Sequence, residues 1–134
     1  MTVPFTMKTT AQHESSTTSG AAATADQRTA HSLSAALDQL WIKFLPEIRA
    51  RVEVLEAAAA ASAAHELSTV QREAAKAAAH KLAGILGTFN LTGGTELARE
   101  FEVLFAGDDT TNPSLAGRSA SIAAELRTIV AGRK

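Results

Sequence analysis

Apolar residues recur every three or four positions along most of the chain beyond residue 32, and strand-like alternation of polar and apolar residues is absent. This spacing is typical of amphipathic helices that bury one face. We predict five helical segments, one short and four longer, separated by brief connections. They begin near Ser32, at Pro46, at Ser68, after Thr95 and at Pro113.

Local signals predict the boundaries of the first three segments. Pro46 disfavours helical geometry at Leu45 and suits the first turn of a new helix, so we predict a break between the short segment and the second helix. Ser68 followed by Gln71 is a capping-box pattern that starts the third helix. Asn90 tolerates the left-handed conformation and is predicted to end that helix.

Glycine and proline predict the remaining boundaries. Residues 92–95, Thr-Gly-Gly-Thr, are predicted to form a turn, and Gly107 closes the fourth helix. After a polar loop at residues 108–111, Asn112 and Pro113 match the N-cap and first position of the last helix. Short connections make consecutive helices antiparallel neighbours. The predicted fold is therefore all-α: an up-down-up-down four-helix bundle with a short additional N-terminal helix.

Composition separates the chain into two parts. Residues 1–31 are rich in Ser, Thr and Ala and are predicted to be a disordered tail, whereas residues 32–134 form the predicted helical domain. The tail lacks the apolar core of a secretory signal, and no run is apolar enough to span a membrane. A net charge of −1 does not indicate binding to nucleic acid or to an anionic membrane. The chain has no cysteine, which excludes disulfides, zinc-thiolate sites and thiol nucleophiles. We expect a cytoplasmic monomer.

The third predicted helix, residues 68–89, has two distinct sides at about 100° per residue. Its apolar stripe consists of Ala74, Ala75, Ala78, Leu82, Ile85 and Phe89. The opposite side holds His80, Gly84 and Gly87, beside Glu73, Lys76 and Ala83. Glycine inside a helix costs roughly 1 kcal/mol relative to alanine, which this sequence uses freely elsewhere. The two glycines therefore indicate that a large partner approaches His80 closely.

His80 is the candidate for chemistry. A neutral imidazole is a competent nucleophile at cytoplasmic pH, and Lys76 one turn away would balance the charge of an accepted phosphoryl group. The alternative is an incidental surface histidine, the commoner case. His31 and His65 are expected to be solvated, and His13 lies in the predicted tail. No Glu-x-x-His pair points inward as a bundle metal site requires, so no metal is expected.

One stretch of the chain resembles a known family. His80-Lys81-Leu82-Ala83-Gly84, continued by Gly87-Thr88-Phe89 and by Leu97-Ala98-Arg99-Glu100-Phe101-Glu102, is similar to the signature of histidine-containing phosphotransfer (HPt) domains. As an architecture the resemblance covers about residues 32–132, and its specific motif lies within residues 79–102. It implies an all-α bundle that presents one histidine from the middle of a bundle helix.

The resemblance also implies a function. His80 is the expected phosphoacceptor, which takes a phosphoryl group from an aspartate of one receiver domain and passes it to another. The expected partners are response-regulator receiver domains and a hybrid sensor histidine kinase, and the receiver would supply Mg²⁺ and a lysine. No cofactor on this chain and no independent turnover are expected. The expected docking residues are Gly84, Gly87, Lys76, Ala83 and Glu73, with Leu82 as a buried anchor.

Two positions depart from the family pattern. Many members carry a lysine three residues after the histidine, where this chain has Ala83, and Ile85 replaces a residue that is often small or hydroxyl-bearing. Two alternatives therefore stay open. One is a non-phosphorylated HPt-fold adaptor that binds a receiver or kinase. The other is an unrelated helical interaction module, in which the glycines admit a partner helix and His80 is incidental.

Overall fold

The computed structural model describes the backbone of residues 3–107 and 113–133, with side chains from residue 27 onwards in these ranges. Four helices make up this part of the chain: α1 (Val3–Ala63), α2 (Thr69–Thr88), α3 (Thr92–Ala106) and α4 (Pro113–Gly132). The described ranges hold no strand, and the predicted all-α four-helix bundle is confirmed. Over the same ranges, no helix combines the length and apolarity needed to cross a membrane.

The predicted break at Pro46 is wrong, and so is the separate short N-terminal helix. α1 continues through Pro46 without interruption. A proline inside a helix removes one N–H donor and leaves the carbonyl four residues earlier, here that of Ile42, without its partner. Because Pro46 and Ile42 are both exposed, water can bind this carbonyl and the helix can continue.

α1 also begins earlier than the sequence analysis predicts. Its backbone is helical from Val3, where a disordered tail over residues 1–31 was expected. Alanine is the strongest helix former, and it recurs through this segment. The chain divides into two compact units, Met1–Gln39 and Leu40–Lys134. The extent of the functional domain, residues 32–134, stays a prediction; the core and the candidate site lie in the second unit.

Both predicted ends of α2 are confirmed. The Gln71 backbone N–H donates to Ser68 Oγ at 3.0 Å, which caps the first turn. After the last turn, Asn90 takes the left-handed conformation with φ of 60°. The Leu91 N–H then donates to the Leu86 carbonyl and the Asn90 N–H to the Gly87 carbonyl, the two bonds of a Schellman motif. This tight ending turns the chain directly into α3.

The predicted turn at residues 92–95 is wrong, because α3 already begins at Thr92. Gly94 is buried, and a Cβ at this position would lie 2.9 Å from Leu86 Cδ1 and 3.6 Å from Ile129 Cγ2. Glycine therefore lets α3 lie close to both neighbouring helices. The two glycines predict a turn, whereas in the structure Gly94 lies inside α3 and allows close helix packing.

The last connection is only partly tested. The predicted loop at residues 108–111 and the predicted N-cap at Asn112 lie outside the described residues. Pro113 is the first residue of α4, and Gly107 is the C-cap of α3, as the sequence predicts.

Contacts between helices fix their antiparallel order. Trp41 packs edge-on against Phe89 with ring centroids 5.1 Å apart. This contact brings the part of α1 where the second compact unit begins, at Leu40, to the end of α2. Arg72 Nε donates to the Phe105 carbonyl at 2.8 Å, which joins the start of α2 to the end of α3. Large buried side chains from all four helices form the core: Ile48, Leu55, Leu82, Leu86, Phe101, Phe105, Ile122 and Leu126.

Two bidentate ion pairs connect α4 to its neighbours. Arg127 donates to both carboxylate oxygens of Glu56 at 2.7 and 2.5 Å, and Arg118 donates to those of Glu100 at 2.5 and 2.7 Å. The hydrogen bonds from the guanidinium groups lower the pKa of Glu56 and the pKa of Glu100 below their ordinary value. Both pairs are largely solvated, so their contribution to stability is small.

These pairs predict a pH dependence of stability. A carboxyl whose pKa is lower in the folded state stabilises the fold above its ordinary value of 4.5, and this contribution is lost as pH falls through the folded-state pKa. We expect the double variant Glu56→Gln/Glu100→Gln to have a lower unfolding free energy than wild type near neutral pH, with the difference vanishing in strong acid. Urea titrations near neutral pH and in strong acid measure this difference in unfolding free energy, and the variant Glu96→Gln, at an exposed position, is the control. A difference that does not change with pH would contradict this assignment.

Candidate functional site

His80 lies in the middle of α2 with its side chain 76% exposed. Its Nδ1 lies 3.1 Å from Oε2 and 3.4 Å from Oε1 of Glu102, a half-buried residue of α3. The exposure that the sequence predicts for His80 is therefore observed. The imidazole is fixed at one ring nitrogen and open to solvent over most of its surface.

Glu102 determines which ring nitrogen is available. An ionised carboxylate only accepts hydrogen bonds, so Nδ1 must carry the proton and donate it. In the neutral imidazole the other nitrogen, Nε2, then keeps its lone pair. The arrangement therefore leaves the Nε2 lone pair unused by Glu102 and holds the opposite edge of the ring against a negative charge.

Glu102 is the residue that the sequence analysis missed. It lies at the end of the stretch that carries the resemblance, but no role was assigned to it. A signal was available, because a tight turn after Phe89 makes α2 and α3 antiparallel and brings residues about equally far from that turn together. His80 is nine residues before Phe89, and Glu102 is eleven residues after Leu91.

The two glycines of the predicted docking face are not required by the fold. A Cβ on Gly84 would meet nothing within 4 Å, and one on Gly87 would make only an ordinary contact, 3.6 Å from Thr95 Oγ1. Neither residue has a positive φ. Since helix interiors favour alanine over glycine, the bare backbone beside His80 has no explanation within the described part of the chain.

Ala83 does not belong to the exposed face on which the sequence analysis placed it; its docking role stays a prediction. Its side chain is only 6% exposed, and its carbonyl accepts a hydrogen bond from Thr95 Oγ1 at 3.2 Å. The predicted apolar stripe was rotated, because α3 covers the flank of α2 that carries Ala79, Ala83 and Leu86. Ala74 on the opposite flank is exposed and Ile85 is half-buried, although both were predicted to face the core.

Glu73 is exposed on α2, as predicted, whereas Lys76 is half-buried. Lys76 Nζ is 3.5 Å from Glu73 Oε2, and the Glu73 side chain is 60% exposed. The lysine one turn before His80 is therefore already shared with a carboxylate. Leu82, the predicted anchor, is fully buried.

Within the described part of the chain, the other histidine side chains belong to no candidate metal site. His31 and His65 are exposed, as predicted, and His65 has a φ of 57° at the corner after α1. Among the described residues, no group of three or more His, Cys, Asp or Glu side chains is placed to hold a metal ion. The side chain of His13 lies outside the described part of the chain.

These features define a class: an antiparallel four-helix bundle that presents one exposed histidine, fixed at Nδ1, from the middle of a bundle helix. The model of the Hpt domain family matches residues 39–132, and the chain belongs to this family. Membership gives the chain a phosphotransfer role in two-component signalling, in which family members are phosphocarriers rather than enzymes. The chain has no significant match among curated proteins or solved structures.

Proposed function

We propose that this protein carries a phosphoryl group on His80, accepting it from the aspartate of one receiver domain and passing it to the aspartate of another. The observation that carries the proposal is the exposed imidazole with Nδ1 held by Glu102 at 3.1 Å. A hybrid sensor histidine kinase and a response regulator are the partners of this reaction. The cytoplasm, as the site of such a relay, stays a prediction.

The transfer balances in charge and atoms. The Nε2 lone pair attacks phosphorus as the bond between phosphorus and the aspartyl oxygen breaks, and the aspartate leaves as a carboxylate with the bonding electrons. His80 keeps its Nδ1 proton, so the imidazole ring becomes positively charged. Glu102 accepts a hydrogen bond from this N–H and balances the charge. The receiver supplies Mg²⁺ in this step, and positioning with charge stabilisation does most of the work.

The predicted test is transfer of label from a phosphorylated receiver. A panel of receiver domains, each loaded with radioactive phosphate from acetyl phosphate, is incubated with the protein. We expect acid-labile, alkali-stable label on this chain from at least one receiver, as phosphohistidine requires. Acid-stable label, or no label from any receiver, would contradict the proposal.

A second prediction concerns Glu102. In Glu102→Ala the Nδ1–H loses its acceptor, so both nitrogens compete for the proton and the ring is no longer held; we expect the transfer rate to fall by about 10- to 100-fold. Glu102→Gln should lose less of the rate than Glu102→Ala, because its side-chain carbonyl can still accept from Nδ1 although the negative charge is gone. The rates are measured by rapid-quench labelling from one receiver at saturating concentration. Equal rates in wild type and Glu102→Ala would contradict the positioning role.

The adaptor alternative retains one supporting observation, which is Ala83 in place of the lysine that many family members carry. An adaptor would bind a receiver through the same face without accepting the phosphoryl group. The labelling test separates the two functions, because a receiver that binds tightly but transfers no label favours the adaptor.

A further inference from the structure

The site needs a cation that α2 does not provide at the expected position. Transferred phosphoryl groups carry negative charge, which Arg or Lys side chains stabilise in phosphoryl transfer. Three residues after His80 the chain has the buried Ala83, and Lys76 is shared with Glu73 at 3.5 Å. A further cation near His80 would therefore have to come from the neighbouring helix.

Two contacts fix the register between α2 and α3, one on each side of Arg99. His80 Nδ1 lies 3.1 Å from Glu102 Oε2, and Thr95 Oγ1 donates to the Ala83 carbonyl at 3.2 Å. Between Thr95 and Glu102 on α3 lies Arg99, four residues after the first and three before the second. At 1.5 Å per residue, Arg99 is about 4.5 Å along the helix from Glu102, on the side towards the level of Ala83.

Arg99 also lies on the appropriate face of α3. Residues three and four apart are neighbours on a helix surface, so Thr95, Arg99 and Glu102 form one ridge. Thr95 and Glu102 are half-buried against α2, and Arg99 is exposed. The ridge therefore places Arg99 at the exposed edge of the groove between α2 and α3, one turn from the residue that contacts His80.

The guanidinium of Arg99 is available for an anion. Three other arginines of the bundle are held by carboxylates: Arg51 by Glu47, Arg118 by Glu100 and Arg127 by Glu56. Arg99 makes no ion pair within the described part of the chain, although Glu96 and Glu102 lie one turn away on the same helix. A planar guanidinium donates two parallel hydrogen bonds to a phosphoryl group, which a single ammonium does not.

We propose that Arg99 is the cationic residue that contacts the phosphoryl group on His80, in place of the lysine that Ala83 replaces. The inference rests on the proposed function and assigns its electrostatic partner. Arg99 donates to the phosphoryl oxygens as the bond from Nε2 to phosphorus forms, while Glu102 holds the Nδ1 proton. The two residues are three apart on α3: Arg99 contacts the phosphoryl group at Nε2, and Glu102 contacts the imidazole at Nδ1.

The test uses two phosphoryl donors on the full chain. Phosphoramidate delivers a phosphoryl group to Nε2 with ammonia as the leaving group, and a phosphorylated receiver delivers it from aspartate. Arg99→Gln should form phosphohistidine at least about tenfold more slowly with both donors, whereas Arg99→Lys keeps most of the rate because the charge is retained. Arg49→Gln removes an exposed α1 arginine outside the α2–α3 groove and should change neither rate.

Each outcome has a defined meaning. If wild type is labelled on His80 and Arg99→Gln is labelled equally fast by both donors, the assignment of Arg99 is wrong and the phosphocarrier function stands. If Arg99→Gln is slow with the receiver only, Arg99 contacts the docked protein rather than the phosphoryl group, and the inference is overturned. If neither donor labels wild type, the proposed function fails and the inference fails with it. Circular dichroism and thermal melts check that the variants fold.

Discussion

His80→Gln will accept no phosphoryl label from any receiver that labels the wild-type chain. The glutamine amide has no basic nitrogen lone pair, so the attack on phosphorus cannot occur. The substitution is a local one, because the His80 side chain is 76% exposed and Glu102 is its hydrogen-bond partner within the described part of the chain. Glutamine is also a good helix former, so α2 should keep its stability.

The measurement is acid-labile label after incubation with the phosphorylated receiver, and the expected loss is complete. His31→Gln is the matched control, because it replaces another exposed histidine in a helix and should be labelled at the wild-type rate. Label that persists in His80→Gln would place the phosphoryl group on another residue. It would also remove the basis for the roles of Glu102 and Arg99.

Gly84→Leu is expected to separate receiver docking from folding. A Cβ on Gly84 meets nothing within 4 Å, and leucine favours a helix over glycine by about 1 kcal/mol, so the melting temperature should rise by roughly 4 to 8 °C. The same side chain would project from the exposed face one turn after His80. It would hold a receiver away from the imidazole, and the receiver affinity should fall about tenfold or more.

Gly117→Leu is the matched control. Gly117 lies in α4, is exposed and also has open space around an added Cβ, so the substitution should raise stability equally without affecting docking. Affinity is measured by calorimetry with the receiver that labels wild type, and stability by thermal melts. Unchanged affinity in Gly84→Leu would show that the glycine does not serve close approach. A lower melting temperature would show that the fold requires it.

The chain's local signals were sufficient where the determining interaction is itself local. Ser68 caps α2 by accepting a hydrogen bond from the backbone N–H of Gln71, three residues later, and Asn90 ends the helix in the left-handed conformation. Both ends of α2 are therefore determined by short segments of sequence. Pro46 was misread because its effect depends on whether the freed carbonyl of Ile42 reaches water. That depends on which face of α1 the other helices cover.

In the candidate site, too, local features were predictable from the sequence and contacts between helices were not. Periodicity identified His80 as exposed, because one side of the third helix had to be apolar and His80 lay opposite. The stripe itself was rotated, since an isolated helical wheel does not contain the direction from which α3 approaches. That approach buries Ala83, makes Gly94 a packing residue rather than part of a turn, and places Glu102 at 3.1 Å from the imidazole.

By itself, the sequence determined the all-α class, both ends of α2, an exposed histidine and two glycines beside it, because these depend on propensity, capping and periodicity along one segment. Only the tertiary structure decided what surrounds that histidine. Glu102 is 22 residues away along the chain, and it comes to His80 only because a tight Schellman turn makes α2 and α3 antiparallel at a fixed register.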